Sequence, residues 1–411
     1  MNGERDPRPL VLFTSGFPYG KVEQFLELEI HYLAATFREV HLIPLAAPAG
    51  EARSVPDNCR VHALSLDEPF SGKALLRRHG RQLAAAWLRE VLLSPHPQVY
   101  LREFRRNVYH LLNSYQQALR LEAFLETQCQ GPFLAYSYWW NYWPTLLALI
   151  HRRGRLQFDF FTRALGYDFD LRQTSKAYFP FRSIELEEAV RIFPISGFGE
   201  RTIGSAYPKF RHKLERHYLS VEDRGINPGP SADGIFRVCS CSHLIPLKRV
   251  HLIAEVLERL PFEVHWTHIG FGELETELRA RIAALPPRVK ARITGFWPNQ
   301  SILDFYRNEP ADLFIHVSEM EGGAPVAIQE ACSFGIPAIG TEADAIPEIV
   351  NEHTGFRIPR DFDPQAVADL ITAYRSRPDQ AAFRQGVRDY WKAHFHAPVV
   401  YGRFAQRLTQ L

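Results

Sequence analysis

The stretch SEMEGGAPVAIQEACSFGIP (318–337) concentrates the residue types that hold a phosphorylated ligand. A strand pattern ends at Ser318 and a glycine turn follows at Gly322 and Gly323. Pro325 suits the first helical position, where its missing N–H leaves nothing unsatisfied. Gly335 and Pro337 then stop the helix. The first amides of that helix and the positive end of its dipole point out of the carboxyl edge of a sheet, which is a site for a diphosphate. Gly322, Gly323, Ala324, Pro325 and Val326 are the candidate cradle. Glu321 before the helix and Glu330 within it can face the same space. An ordinary βα turn with two surface glutamates fits the same residues. Lys248, in SCSHLIPLKRVHLIAEVL (240–257), is a candidate cation for the phosphates, with Arg249 able to share that duty and His243 close by. Its plain alternative is a solvated lysine at a helix start.

The first half offers a looser set. Gly16 and Gly20, in TSGFPYGKVEQFLELE (14–29), permit close approach of a substrate to the backbone. Arg163 and Asp168, in RALGYDFD (163–170), are either site residues or a structural ion pair. Tyr138 and Trp139 follow a strand end in SYWWNYW (137–143) and fit core packing or contact with a carbohydrate acceptor. Cys239 and Cys241 alternate onto one face of a strand, and no further ligands complete a metal site around them.

These residues must be positioned by an alternation of short apolar runs and helix-length amphipathic ones. Strands are expected at 10–14, 40–45, 133–137, 158–163, 191–195 and 217–221, and again at 236–240, 263–269, 291–295, 312–318, 338–341 and 355–358. Such a βαβα series builds parallel sheets with helices on both faces, and ligands bind outside the carboxyl ends of their strands. Composition shifts to turn residues at 227–234 (NPGPSADG). The expected organisation is therefore an N-terminal domain (1–226), a linker (227–234), a C-terminal domain (235–385) and a final helix (386–411).

Composition narrows the function classes. The 411 residues exceed one ordinary core, and a formal charge of +2 argues against a nucleic-acid-coating protein. No apolar run approaches the roughly 20 residues that span a bilayer, and the polar opening MNGERDPRPL does not read as a secretory leader. Five cysteines, an odd count, fit reduced thiols in a cytoplasmic chain. Residues 73–120 carry nine basic side chains against two acids, with leucines and aromatics between them. That pattern fits a solvated helical face or a patch drawn to anionic lipid or a phosphorylated acceptor, which would place the chain peripherally at the inner membrane face.

Glu330-Ala331 with Gly335 and Pro337, followed by TEADAIPEIV (341–350), resembles the signature of the retaining GT-B glycosyltransferases of the "glycosyl transferases, group one" type. Eight residues separate Glu321 from Glu330, where the family has seven. HIGFGELE (268–275), RITGFWPN (292–299) and FPISGFGERTI (193–203) match its order of strand, turn and helix. Leu165 stands where relatives carry a histidine beside the donor sugar, and His243 where they carry an arginine. The resemblance implies an α/β fold of two doubly wound, Rossmann-like domains facing a central cleft, residues 1–226 binding the acceptor and 235–385 the nucleotide-sugar donor, with the C-terminal helix (386–411) crossing back to pack on the first.

It also implies transfer of a sugar, with retention and without metal or cofactor, from a nucleoside-diphosphate sugar to a glycan or lipid-linked acceptor in polysaccharide assembly. Lys248 would neutralise the diphosphate. Glu330 would hold the ribose hydroxyls, and Glu321 would contact the sugar. The residues leave open another GT-B enzyme, such as a phosphorylase or epimerase, or a non-catalytic nucleotide-sugar-binding or scaffold relative.

Overall fold

The computed structural model describes residues 5–20, 23–46, 51–66, 69–174 and 178–411; Lys21 and Val22 of the first glycine-containing loop lie outside them. The chain divides into two compact units, Met1–His217 with Tyr401–Leu411, and Tyr218–Val400. Each is built on a six-stranded parallel sheet. In the first, β1 (Leu10–Thr14), β2 (Val40–Pro44), β3 (Cys59–Val61), β4 (Phe133–Ser137), β5 (Phe158–Ala164) and β6 (Arg191–Pro194) lie in the order β3-β2-β1-β4-β5-β6. In the second, β7 (Phe236–Cys241), β8 (Val264–Ile269), β9 (Val289–Ile293), β10 (Leu313–His316), β11 (Ala338–Thr341) and β12 (Gly355–Ile358) lie in the order β12-β11-β10-β7-β8-β9. Strands β1, β2, β4 and β10 are buried at every residue, as apolar runs such as LVLFT must be when helices cover both faces. The order reverses once in each sheet, between β1 and β4 and between β7 and β10. There, crossover helices leave toward opposite faces and open a crevice above the strand ends.

Some expected elements move. Residues 217–221 form no strand. His217 donates to the Pro194 carbonyl, Val221 bridges to His396, and the stretch straddles the division between units, so no ladder runs along it. The short edge strand β3 carries no apolar run and escapes the sequence reading. The segment 227–234 belongs to the second unit rather than lying between domains. Buried Asn227 donates to the Tyr306 and Glu309 carbonyls at 2.6 and 2.9 Å and accepts from Arg384 at 2.8 Å. Helix Gln380–His394 also stays with that unit, where Val387 and Trp391 enter the core. The helix that follows, Ala397–Leu408, ends in the first unit, where Phe404 packs 5.1 Å from Phe193.

Arg163 explains why that last helix fits. Its guanidinium is fully buried, donates to Glu29 at 2.9 Å and to the Tyr136 hydroxyl at 2.6 Å, and lies over the Phe404 ring at 4.2 Å. The partner of Arg163 is therefore Glu29, not Asp168, and Arg163 is a core residue rather than an acceptor contact. Removing one member of a fully buried ion pair leaves the other charged and unpaired, at a cost of about 3–5 kcal/mol. Arg163→Met is expected to lose stability in that range by urea unfolding. A loss below about 1 kcal/mol, the value of an exposed pair, would contradict this role.

Candidate functional site

The loops that leave β7 and β10 rise from the two strands flanking the reversal in the second sheet. After β7 the chain makes a turn, Pro246–Lys248, whose backbone is fixed from below by the loop following β8: Leu244 donates to the Phe271 carbonyl and Leu274 to the Leu244 carbonyl. Gly272 is required for this approach, since a Cβ there would lie 2.4 Å from the Leu244 oxygen. The turn delivers the Lys248 ammonium to Glu321, which follows β10, and the two form an ion pair. The same Glu321 oxygen accepts from His316 Nε2 at 2.9 Å and from Ser318 Oγ at 3.0 Å. Strand alternation explains the last two, because residues 316 and 318 leave the end of β10 on one face. Burial alone would raise the Glu321 carboxyl. The hydrogen bond from His316 and the Lys248 charge outweigh it and hold the group down at about 2. His316 is buried and its basicity lowered by desolvation, so it donates as a neutral ring.

Beyond Glu321 the chain turns through Gly322 to Pro325 into helix Val326–Ser333, which has no side-chain cap. Among the described residues, the amides of Gly323, Ala324, Val326 and Ala327 have no hydrogen-bond acceptor. Within the helix, Glu330 is buried and accepts from Asn299 Nδ2 at 2.7 Å. Desolvation pushes its carboxyl up to about 7, against the lowering effect of Asn299. Cys241, at the end of β7, feels the Glu330 carboxylate and the Lys248 ammonium together, so both stand around one strand end; burial pushes its thiol up to about 12.

Other expected site residues sit differently. Arg249 donates to the Val317 and Arg360 carbonyls at 3.0 and 2.8 Å, a structural tie that leaves it poorly placed for a phosphate. His243 is exposed, with its ring 5.4 Å from Phe271. In the first unit, the amides of Ser15, Gly16 and Phe17 all donate to the Glu23 carboxylate at 2.7–2.9 Å, and Trp139 Nε1 donates to it at 2.8 Å. Gly16 thus offers its amide to Glu23 rather than to a donor. Tyr138 is buried in the core and Trp139 is half-buried.

Asp168 is buried and accepts from the Leu165 and Trp140 amides at 3.0 and 3.1 Å, with desolvation pushing it up to about 6. It shapes the wall of a cavity of about 550 Å³, whose aromatic lining includes Trp139, Tyr142, Tyr167, Phe179 and Tyr109. Glu23, His316 and Asn299 escape the sequence reading. The alternation of His316 with Ser318, three residues before Glu321, is the signal that would have found one of them.

Residues 226–388 match the family model "Glycosyl transferases group 1". This segment belongs to that family. The chain is 28% identical over 231 residues to the amylovoran biosynthesis glycosyltransferase AmsK of Erwinia amylovora, covering 54% of this chain and 56% of AmsK. It is 25% identical over 261 residues to the putative colanic acid biosynthesis glycosyltransferase WcaL of Salmonella typhimurium, covering 60% and 63%. The chain thus spans a little over half the length of these curated relatives. Its fold is similar to that of the lipopolysaccharide outer core galactosyltransferase WaaB (TM-score 0.68, 14% identity, 98% of this chain and 100% of that one). It is also similar to Anabaena HepE in complex with UDP and glucose (TM-score 0.64, 14% identity, 98% and 100%). Two Rossmann-like sheets with these neighbours make a GT-B fold.

The raised Glu330 carboxyl sets a pH dependence for this group 1 segment. Below pH 4.5, its ordinary value, folded and unfolded chains both keep the proton. Between there and about 7 only the fold retains it, so Glu330 makes stability fall as pH rises across that window and level off above it. Glu330→Gln keeps an acceptor for Asn299 and removes the titration. Its urea midpoint is expected to gain on the wild type between pH 5 and pH 8; parallel profiles would show that Glu330 ionises normally.

Proposed function

We propose that this chain is a glycosyltransferase that moves a sugar from a nucleoside-diphosphate sugar to a hydroxyl of a glycan or lipid-linked acceptor, with retention, in cell-surface polysaccharide assembly. One observation carries the reading: an ammonium held in place by a half-buried carboxylate stands at the strand-order reversal of the second sheet, beside a turn whose amides have no acceptor among the described residues. A diphosphate satisfies both at once. Its oxygens accept from the amides of Gly323, Ala324, Val326 and Ala327, and Lys248 exchanges Glu321 for a phosphate. Glu321, still held by His316 and Ser318, then accepts from sugar hydroxyls. Glu330 accepts from the ribose diol, whose hydroxyls favour its ionised form.

In the transfer, the bond between the anomeric carbon and the diphosphate oxygen breaks while the acceptor oxygen bonds to that carbon on the same face. The acceptor proton passes to the departing phosphate. Negative charge grows on the leaving oxygens, where Lys248 and the helix start stabilise it. The aromatic cavity of the first unit offers flat apolar faces to an acceptor sugar, with Trp139 on its wall.

A thermal-shift panel of nucleoside-diphosphate sugars tests the donor site, since a bound donor raises the melting temperature by mass action. Lys248→Ala is expected to weaken every donor by roughly ten- to a hundred-fold, the value of a charge-assisted hydrogen bond. Glu330→Ala should weaken free nucleosides as well. Identical shifts in the wild type and both variants would contradict these roles.

A further inference from the structure

Twelve large apolar side chains stand exposed among the described residues, and six of them fall between Leu76 and Tyr109 in the first unit. Leu92, Leu101 and Tyr109 are about two-thirds exposed, at 68, 67 and 66%. Helix Gly72–Leu93 kinks at His79; beyond the kink Arg81, Ala84, Leu88 and Leu92 recur every three or four residues and are all exposed, forming one stripe, basic at its start and apolar at its end, while Arg77 and Arg78 stand exposed just before the kink. Trp87 joins that apolar end to the next helices, with its ring 5.9 Å from Tyr100 and 5.3 Å from exposed Phe104.

Charge on this face is predominantly positive, although Arg89 is paired with Glu187. Arg77, Arg78, Arg81 and Arg105 have no acidic partner among the described residues. Arg102 and Arg106 approach only Glu103, at 3.5 and 3.9 Å. The other acid between residues 73 and 120, Glu90, is buried and accepts from the Tyr100 hydroxyl and the Ile184 amide.

We propose that this face, from Lys73 to Tyr109, docks on a bilayer that carries anionic headgroups. The arginines lie over lipid phosphates, and Leu88, Leu92, Leu101 and Phe104 enter the headgroup layer. Apolar side chains interleaved with unpaired cations are what interfacial attachment requires. A second copy of the chain would bring like charges together on the same patch. No described helix is long and apolar enough to cross a membrane. The attachment is independent of sugar transfer and stands whether or not a donor binds.

The test is sedimentation of the full chain with vesicles of phosphatidylcholine alone or mixed with phosphatidylglycerol. Binding is expected to the mixed vesicles only and to weaken with added salt, which screens the arginines. The double substitution Arg77→Ala with Arg81→Ala should lower the partition coefficient roughly thirty-fold, at the usual contribution of each cation near an anionic surface. Leu88→Ser with Leu92→Ser should weaken the binding that survives in high salt. Both pairs are exposed, so the melting temperature and the donor-induced shift should stay at wild-type values. Equal sedimentation with the two vesicle types, or none with either, would overturn the proposal without touching the donor site. So would a dimer in light scattering that disappears in the leucine double variant.

Discussion

Where strand order reverses in a parallel sheet, the loops above it point backbone amides and side-chain heads into one crevice, and that polar surface has to be satisfied by something. The two units meet this constraint in opposite ways. In the first, Glu23 turns back from beyond the β1 loop and takes three successive amides and the Trp139 indole on one carboxylate. The crevice is closed by the chain itself. In the second, the equivalent place holds an ion pair, and the adjoining turn keeps amides with no acceptor among the described residues. An anion cradle filled by its own glutamate is a piece of architecture; amides with no acceptor among the described residues, standing beside a cation, are the feature on which the proposed donor site rests.

The two carboxylates around that receptor are pushed apart in acidity by the same burial. Glu321 gathers three donors, one of them an ammonium, and stays ionised at any ordinary pH. Among the described residues the Glu330 carboxylate accepts from the Asn299 amide alone, and it rises to near neutrality. Each setting suits its proposed partner. In the proposed donor site, the Glu321 anion would hold Lys248 in position for the diphosphate. A carboxylate short of donors is completed by a diol that brings two, so binding and ionisation favour each other.

Legibility in the sequence followed the range of the interaction. Eleven of the twelve strands are visible, the central ones such as β1, β4 and β10 as apolar runs buried on both faces and others such as β8 and β9 by alternation of buried with more exposed residues; β3, three residues long at a sheet edge, shows neither pattern. The turn and helix at 322–333 are visible because glycine, proline and the helix stop act locally. What local pattern cannot supply is a partner brought from elsewhere in the chain. Arg163 with Asp168, five residues apart, looks like an ion pair, yet the fold delivers Glu29 from 134 residues away. Arg249 next to Lys248 looks like a second phosphate ligand, but its positive-φ backbone (φ +47°) goes with a guanidinium that meets two carbonyls instead. The segment 227–234 has linker composition, and only the buried contacts of Asn227 show that it is core.

The same distinction bears on the spacing between the two glutamates. Glu321 is fixed from the strand side, by His316 and Ser318 at the end of β10 and by the turn after β7. Glu330 is fixed from the helix side, on the fifth residue of Val326–Ser333, by Asn299 from the helix after β9. The two glutamates are held by different partners, and between them run only Gly322, Gly323, Ala324 and Pro325 before the helix begins. A turn of small residues between two independently held ends can change length by one without dragging either glutamate from its partners. The eight-residue interval is therefore compatible with both groups standing at the same strand end, and the length of that turn sets the shape of the amide cradle rather than the identity of the groups around it.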